Sequence, residues 1–365
     1  MMSVIKGFFQ DIRMFLSSKI VLAIDIGTIS IKAMEIEREK SVLSLKNYGI
    51  LQTKEYLKRA NAALQTSSLK LSEEDVSSLL KLMLDEMKPK TKHAIVSLPT
   101  FNAFYVPIEM VLMSPEDTTK SIAFQARQYI PIPIDQVTID WVKVGEFNSD
   151  TGQRFQRILM TGIPNTLIKK YEKIFKNIGL KLIALEVETN SIARALAKKG
   201  ELPTLVVDIG AESTSVLVVH DGLVQEVGQT DYAGVTLTQA LARSLNISTT
   251  RAEELKRRRG ISDSKKEYEL STSLYPFLDV IIQECGRLKT SFEKRSGMKV
   301  RTLTLTGGGA NLLGIEEYFK SQMGLPIQHP GVLDSFKHIP ELDALRNTFD
   351  RDLAVASGLT FRFRV

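Results

Sequence analysis

Asp25-Ile26-Gly27-Thr28-Ile29-Ser30-Ile31-Lys32 decides the fold, because the phrase returns as Asp208-Ile209-Gly210-Ala211-Glu212-Ser213-Thr214-Ser215-Val216. Each copy follows a short apolar run, Ile20 to Ile24 and Leu205 to Val207, and leads into another. An apolar run, a glycine-containing polar turn and a returning apolar run spell a β-hairpin. Glycine lets such a turn close tightly, and its amides with the neighbouring hydroxyls suit an anion such as phosphate. The leading carboxylate repels phosphate but holds the Mg²⁺ that accompanies a nucleotide. One hairpin of this kind is an ordinary turn. Two, with Asp, Gly and Ser in matching places, describe the jaws of a clamp on one polyphosphate.

In the first jaw Asp25 is the metal-side carboxylate, Gly27 and Thr28 are backbone donors, and Ser30 and Lys32 are phosphate contacts; a solvated strand lysine is the other reading of Lys32. In the second jaw Asp208 repeats Asp25, and Gly210, Ala211, Ser213 and Thr214 close over the other side. Asp25 and Asp208 hold the ion through water. Glu188 ends one apolar run and opens a helical one, which puts a carboxylate at the carboxyl edge of a sheet, where ligands of open α/β sheets sit. There it orients a water or a hydrated ion. Thr306-Gly307-Gly308-Gly309-Ala310-Asn311 follows a strand pattern but departs from GxGxxG, and no GxxxxGK[ST] occurs, so neither a dinucleotide fold nor a P-loop is supported. Its glycines either leave a flat surface for a planar base or let two elements pack closely. Glu253 and Lys256 share one helix face, as a surface ion pair or as a grip on a ribose and base edge.

The chain has 365 residues, room for two domains with separate cores. Its 43% hydrophobic and 25% charged content is that of a globular protein, and the net charge of +6 is mild. Apart from Lys256-Arg257-Arg258-Arg259 the basic residues are scattered, which argues against nucleic acid as a partner. A single cysteine, Cys285, and four histidines without metal-ligand spacing leave no basis for a disulfide or a zinc site. No apolar stretch reaches the ~18–20 residues that span a bilayer, so a cytoplasmic location is expected.

Along the chain, residues 1–19 form an amphipathic pattern that either packs on its own domain or docks on a membrane surface or partner helix. Residues 20–91 are the first part of one lobe, with a polar stretch at 54–70. A βαββ block is expected at 92–163, the rest of the first lobe at 164–203, a second lobe at 204–350, and a helix and tail returning to the first lobe at 351–365. Both lobes open with a strand hairpin followed by helices, so the expected fold class is α/β, two related lobes with a cleft between them.

In this order the motifs resemble the actin/Hsp70/sugar-kinase ATPase superfamily, in which two phosphate hairpins, a connecting carboxylate and a Gly-rich adenosine motif surround ATP. Glu188-Thr189-Asn190-Ser191-Ile192-Ala193-Arg194-Ala195 is similar to the connecting motif. Ile108-Glu109-Met110, Met113-Ser114-Pro115-Glu116-Asp117, Gln128-Tyr129-Ile130-Pro131-Ile132-Pro133 and Val137-Thr138-Ile139-Asp140 resemble the inserted subdomain, of SHS2 type, of the pilus assembly family PilM and its cell-division relative FtsA. The resemblance covers about residues 20–361. It implies an actin-like fold, ATP or ADP with Mg²⁺, and at most slow ATP hydrolysis. It also implies a place on the cytoplasmic side of the inner membrane in the type IV pilus machine that drives twitching motility. There the insertion holds the N-terminal cytoplasmic tail of PilN in a groove, alongside other platform and motor components. Phe101, Phe104, Tyr105 and Val106 form an apolar extended run suited to that groove, or to filling the subdomain core. A division or type II secretion role shares the architecture; a small-molecule kinase lacks an evident general base.

Overall fold

The computed structural model describes residues 19–40, 42–53, 72–196, 200–261, 268–338 and 340–364. Apart from Lys19, the amphipathic segment expected at 1–19 lies outside them, as does the polar stretch 54–70. Among the described residues no helix is long and apolar enough to cross a membrane.

The two halves of the chain build the same sheet. In the first, β1 (Ile20–Ile26) pairs antiparallel with β2 (Ser30–Glu39), which pairs antiparallel with β3 (Val42–Gln52). On its other side β1 lies parallel to β4 (His93–Leu98), and β4 parallel to β8 (Lys181–Val187). In the second, β9 (Thr204–Ile209), β10 (Thr214–His220), β11 (Leu223–Thr230) and β12 (Thr302–Thr306) repeat the pattern: two antiparallel pairs, then a parallel neighbour. A parallel bridge from Leu303 to Ile327 stands where β8 stands in the first sheet. The central strands are continuous Val/Ile/Leu runs because both of their faces are buried, and Leu22, Ile24, Val216 and Val218 are wholly excluded from solvent.

Helices cover these sheets. α1 (Glu73–Met87) opens with a capping box: the Asp75 amide donates to Ser72 Oγ at 3.1 Å, and the Ser72 amide donates back to the Asp75 carboxylate. It ends at Lys88, left-handed at φ 48°, just before Pro89. Together with α3 (Asn165–Asn177), α1 buries one face of the first sheet. The second sheet carries α5 (Gly234–Ser244), α6 (Thr249–Arg259) and α8 (Ile315–Met323). Its long partner α7 (Tyr268–Ser296) presents Leu274, Leu278, Ile281, Cys285, Leu288 and Phe292 at three- and four-residue spacing, with the thiol as a small apolar filler.

The inserted block is narrower than 92–163. His93–Leu98 belongs to the first sheet, since its continuous apolar run is buried on both faces between β1 and β8. The insertion's own sheet is β5 (Phe104–Val111), β7 (Arg154–Pro164) and β6 (Val137–Asn148), in that order. One face packs on α2 (Pro115–Gln125), which starts with the Ser114 cap and Pro115. The other face sends Tyr105, Val142, Val144 and Leu159 into a core shared by both lobes, with Ile192, Leu217, Val219 and Val355. Arg157 clasps the insertion to the second lobe: Nη2 donates to the Arg295 carbonyl at 2.6 Å, Nε pairs with Glu109 at 3.1 Å, and the guanidinium stacks on Phe147.

Two helices pass between the lobes. α4 (Glu188–Leu196) and α10 (Ala354–Thr360), which follows α9 (Arg346–Asp352), cross so closely that a Cβ on Gly358 would lie 1.9 Å from the Ser191 carbonyl oxygen. Buried Glu186 accepts from Arg194 at 3.0 Å, and Arg194 also donates to the Gly358 carbonyl. α10 packs its Ala356 and Leu359 on the first sheet with Val21 and Ala23.

Candidate nucleotide site

The repeated phrases fold alike, down to single hydrogen bonds. In each hairpin the glycine amide donates to the carbonyl of the serine three residues on, Gly27 to Ser30 and Gly210 to Ser213, both at 3.0 Å. A Cβ on Gly27 would stand 2.9 Å from the Ser30 oxygen, and one on Gly210 2.8 Å from the Ser213 oxygen. Glycine is required at both turns by this close approach. Each turn is then pinned from outside. Thr53 donates through its amide to the Ile29 carbonyl and through its hydroxyl to that of Thr28. The first amides of α5, Gly234 and Val235, donate to the Gly210 and Ala211 carbonyls.

The two aspartates are held in parallel ways as well. The neighbouring parallel strand ends in a hydroxyl that donates to Oδ1: Ser97 of β4 to Asp25 at 2.6 Å, Thr306 of β12 to Asp208 at 3.0 Å. Lys32 lies directly across the first hairpin from Asp25, and its charge acts on Asp208 in the other lobe. Glu188 opens α4 at the end of β8, as its strand-to-helix position predicts. Its Oε1 accepts from both the amide and the hydroxyl of Thr100, at 2.8 and 2.7 Å. Burial, then the Asp208 and Asp25 charges, push the Glu188 carboxyl well above the carboxylate range. Burial, with Asp25 and Asp352 adding, also raises Asp208, against the pull of Lys32 and the Thr306 hydroxyl. Among the described residues no three acidic, His or Cys side chains converge closely enough to ligate one ion directly.

Other expected site residues are placed differently. Gly307, left-handed at φ 82°, and Gly309 lie against the second hairpin, where a Cβ would meet the Ile209 oxygen at 2.5 Å or its Cγ2 at 2.3 Å. They serve close packing, and only Gly308 is exposed. Asn311 donates to Asp352 Oδ1 at 3.2 Å. The Thr214 hydroxyl turns inward to the Tyr232 carbonyl. Glu253 and Lys256 are no surface pair: Lys256 is buried, bridging Glu253 at 2.6 Å, the Thr238 hydroxyl and the Gly234 carbonyl at 2.8 Å. It thus braces the helix start that supports the Gly210 turn. In the expected groove Val106 is buried with Phe104 in the insertion core, and Tyr105 hydrogen-bonds Thr189, so Phe101 alone of the four stands exposed. Alternation along β5 separates Phe104 and Val106 from Tyr105, because successive side chains point to opposite faces, and Phe101 lies before the strand in a turn.

Ser97, Thr100, Thr306 and Asp352 are site residues the sequence did not announce. A hydroxyl closing an apolar strand just before a turn, in both Ser97-Leu98-Pro99 and Thr306-Gly307, is the signal that was available.

Comparison with known proteins fits this geometry. A family model described as type IV pilus assembly protein PilM matches residues 23–364. The chain belongs to the PilM family. It superposes on a chain of a PilM-PilN type IV pilus biogenesis complex with a TM-score of 0.78 at 20% identity, covering 94% of this chain and 98% of that one. MreB5 of Spiroplasma citri bound to AMPPNP superposes with a TM-score of 0.53 at 13% identity, covering 94% and 96%, as expected for the actin-like fold that PilM proteins share. The cell-division protein FtsA of Enterococcus hirae is 25% identical over 214 residues, 52% of this chain and 46% of FtsA, so the chain spans about half the length of that relative.

Proposed function

We propose that this type IV pilus assembly protein is a nucleotide-binding scaffold, with ATP or ADP and Mg²⁺ held between its two hairpins. The observation that carries the reading is the paired construction around Asp25 and Asp208, a glycine turn and a hydroxyl-anchored carboxylate in each, with Lys32 facing Asp25 in the first. The residues fit a metal-nucleotide. The Asp25 and Asp208 charges add to Glu188's cost of ionisation, and Asp25 to that of Asp208, and a cation beside them would relieve that repulsion. An ion held there through water would neutralise phosphate charge. Gly27, Thr28, Ser30, Gly210, Ala211 and Ser213 would supply the turns around the phosphates, Lys32 the positive charge, and Gly308 with Asn311 the outer wall. Glu188 would orient a water, giving at most slow hydrolysis.

The partner in this reading is the cytoplasmic tail of a PilN-type inner-membrane protein, bound beside β5, an edge strand of the insertion sheet, with Phe101 as an exposed anchor. That places the protein on the cytoplasmic face of the inner membrane. Calorimetry with Mg-ATP, and pull-down with the tail peptide of the cognate PilN, test the two halves. Asp25→Ala and Asp208→Ala each abolish Mg-ATP binding while the peptide is still captured by the unaltered chain. Unchanged nucleotide affinity in both variants, or no peptide capture with ATP present, sinks the corresponding half.

A further inference from the structure

The start of β5 and the carboxylate of the nucleotide cleft are tied together twice within a few residues. Glu188 and Thr189 are consecutive at the first turn of α4. Thr100 holds the first through two hydrogen bonds to Oε1, and Tyr105 holds the second through its hydroxyl. Thr100 sits in a single 3₁₀ turn, Thr100–Asn102, and is 1% exposed, whereas Phe101 beside it is 45% exposed. The short segment displaying Phe101 is thus fastened at both ends to the helix turn that carries the site carboxylate. Two donors on one oxygen of a planar carboxylate also fix the direction of the other oxygen. Both donors belong to Thr100, at the entry to the insertion and outside both phosphate hairpins.

We propose that Thr100 is a positioning residue that orients Glu188 and, with Tyr105, couples the nucleotide cleft to the peptide-binding edge of the insertion. The proposal rests on the Mg-nucleotide reading above. A metal-nucleotide that draws Glu188 toward itself loads the Thr100 bonds and shifts the Phe101 turn. By reciprocity, a peptide that reseats Phe101 changes nucleotide affinity by the same factor. The two sites therefore communicate through two hydrogen-bonded pairs and one helical turn.

The test uses the full chain with Mg-ATP as probe, reading affinity by calorimetry and amide hydrogen exchange over residues 100–111. In the unaltered protein Mg-ATP changes exchange at the Thr100–Val106 amides. Thr100→Val removes one of the two hydrogen bonds that hold Glu188, so Mg-ATP binds about fivefold to tenfold more weakly, and the exchange response disappears. Thr100→Ser restores both. Tyr105→Phe leaves affinity near the original value but blunts the exchange response at residues 104–106, a split that a purely structural lesion would not produce. Mg-ATP binding with no exchange response, or a Thr100→Val protein that keeps both, overturns the coupling while the nucleotide reading stands. An unaltered protein that fails to bind Mg-ATP removes that reading, and the coupling with it.

Discussion

Asp25 is 7% exposed, and a carboxylate so placed needs its hydrogen bonds inside the protein. Ser97 supplies one at 2.6 Å, so Ser97→Ala leaves a buried acceptor short of a partner. The expected cost is about 1.5–3 kcal/mol, read from the urea midpoint, with Ser97→Thr close to neutral. An unchanged midpoint in the alanine variant would show that the bond is dispensable. At this scale the sequence spoke unevenly. Asp25, Gly27, Asp208 and Gly210 stood out because a phrase repeats, whereas nothing local in the sequence ties Ser97 or Thr306 to those aspartates. Lys256 was ambiguous for another reason. Helix spacing puts it beside Glu253 but says nothing of α5, whose Gly234 carbonyl it meets from outside the helix.

Among the elements, α10 shows a glycine whose usual cost is reversed by its neighbour. Gly inside a helix costs roughly 0.5–1 kcal/mol relative to Ala. At Gly358 the alanine methyl would stand 1.9 Å from the Ser191 carbonyl, and both groups lie on packed backbone with no flexible end to yield. Gly358→Ala is therefore destabilising, by about 1–3 kcal/mol from overpacking, despite its better helix propensity. A thermal midpoint equal to or above that of the unaltered chain would refute the close crossing. Helices were legible as elements because caps such as Ser72 and Ser114 and the three-to-four spacing on α7 are local signals. Their crossings were not, since nothing local to α10 marks Ser191, far away in sequence, as its neighbour. The same limit misplaced His93–Leu98: contiguity assigned the strand to the insertion, but its pairing partners come from the lobe.

Seen whole, the molecule is joined at a point where insertion, first lobe and tail meet. Asp140 of β6 lines a small pocket with Thr161, Glu186, Asn190 and Arg362. Burial pushes its carboxyl up to about 6, against the Trp141 amide and the Arg362 charge, with Glu186 adding to the rise. A folded-state value above the unfolded one means that the native protein holds the proton more tightly. Its contribution is complete below the ordinary Asp value and is lost as pH rises to about 6. Asp140→Asn cannot ionise, so its stability relative to the unaltered chain should improve over that window, by at most about 3 kcal/mol. Urea titrations of both proteins at several pH values check this, and parallel pH curves would contradict it. Two similar lobes and an insertion were readable from the order of motifs. The common core of Val142, Val144, Leu217 and Val355 was not, because its members come from three elements far apart in sequence.

The doubled hairpin also carries a broken symmetry. A half-turn that exchanged the lobes would map Asp25 onto Asp208, Gly27 onto Gly210 and Ser97 onto Thr306, and a ligand between ideal twins could enter facing either way. Opposite Asp25 stands Lys32, while opposite Asp208 the same register holds Ser215. That one exchange gives one bank of the cleft a cation that the other lacks, so an asymmetric, highly charged guest meets a polarity that tells it which end goes where.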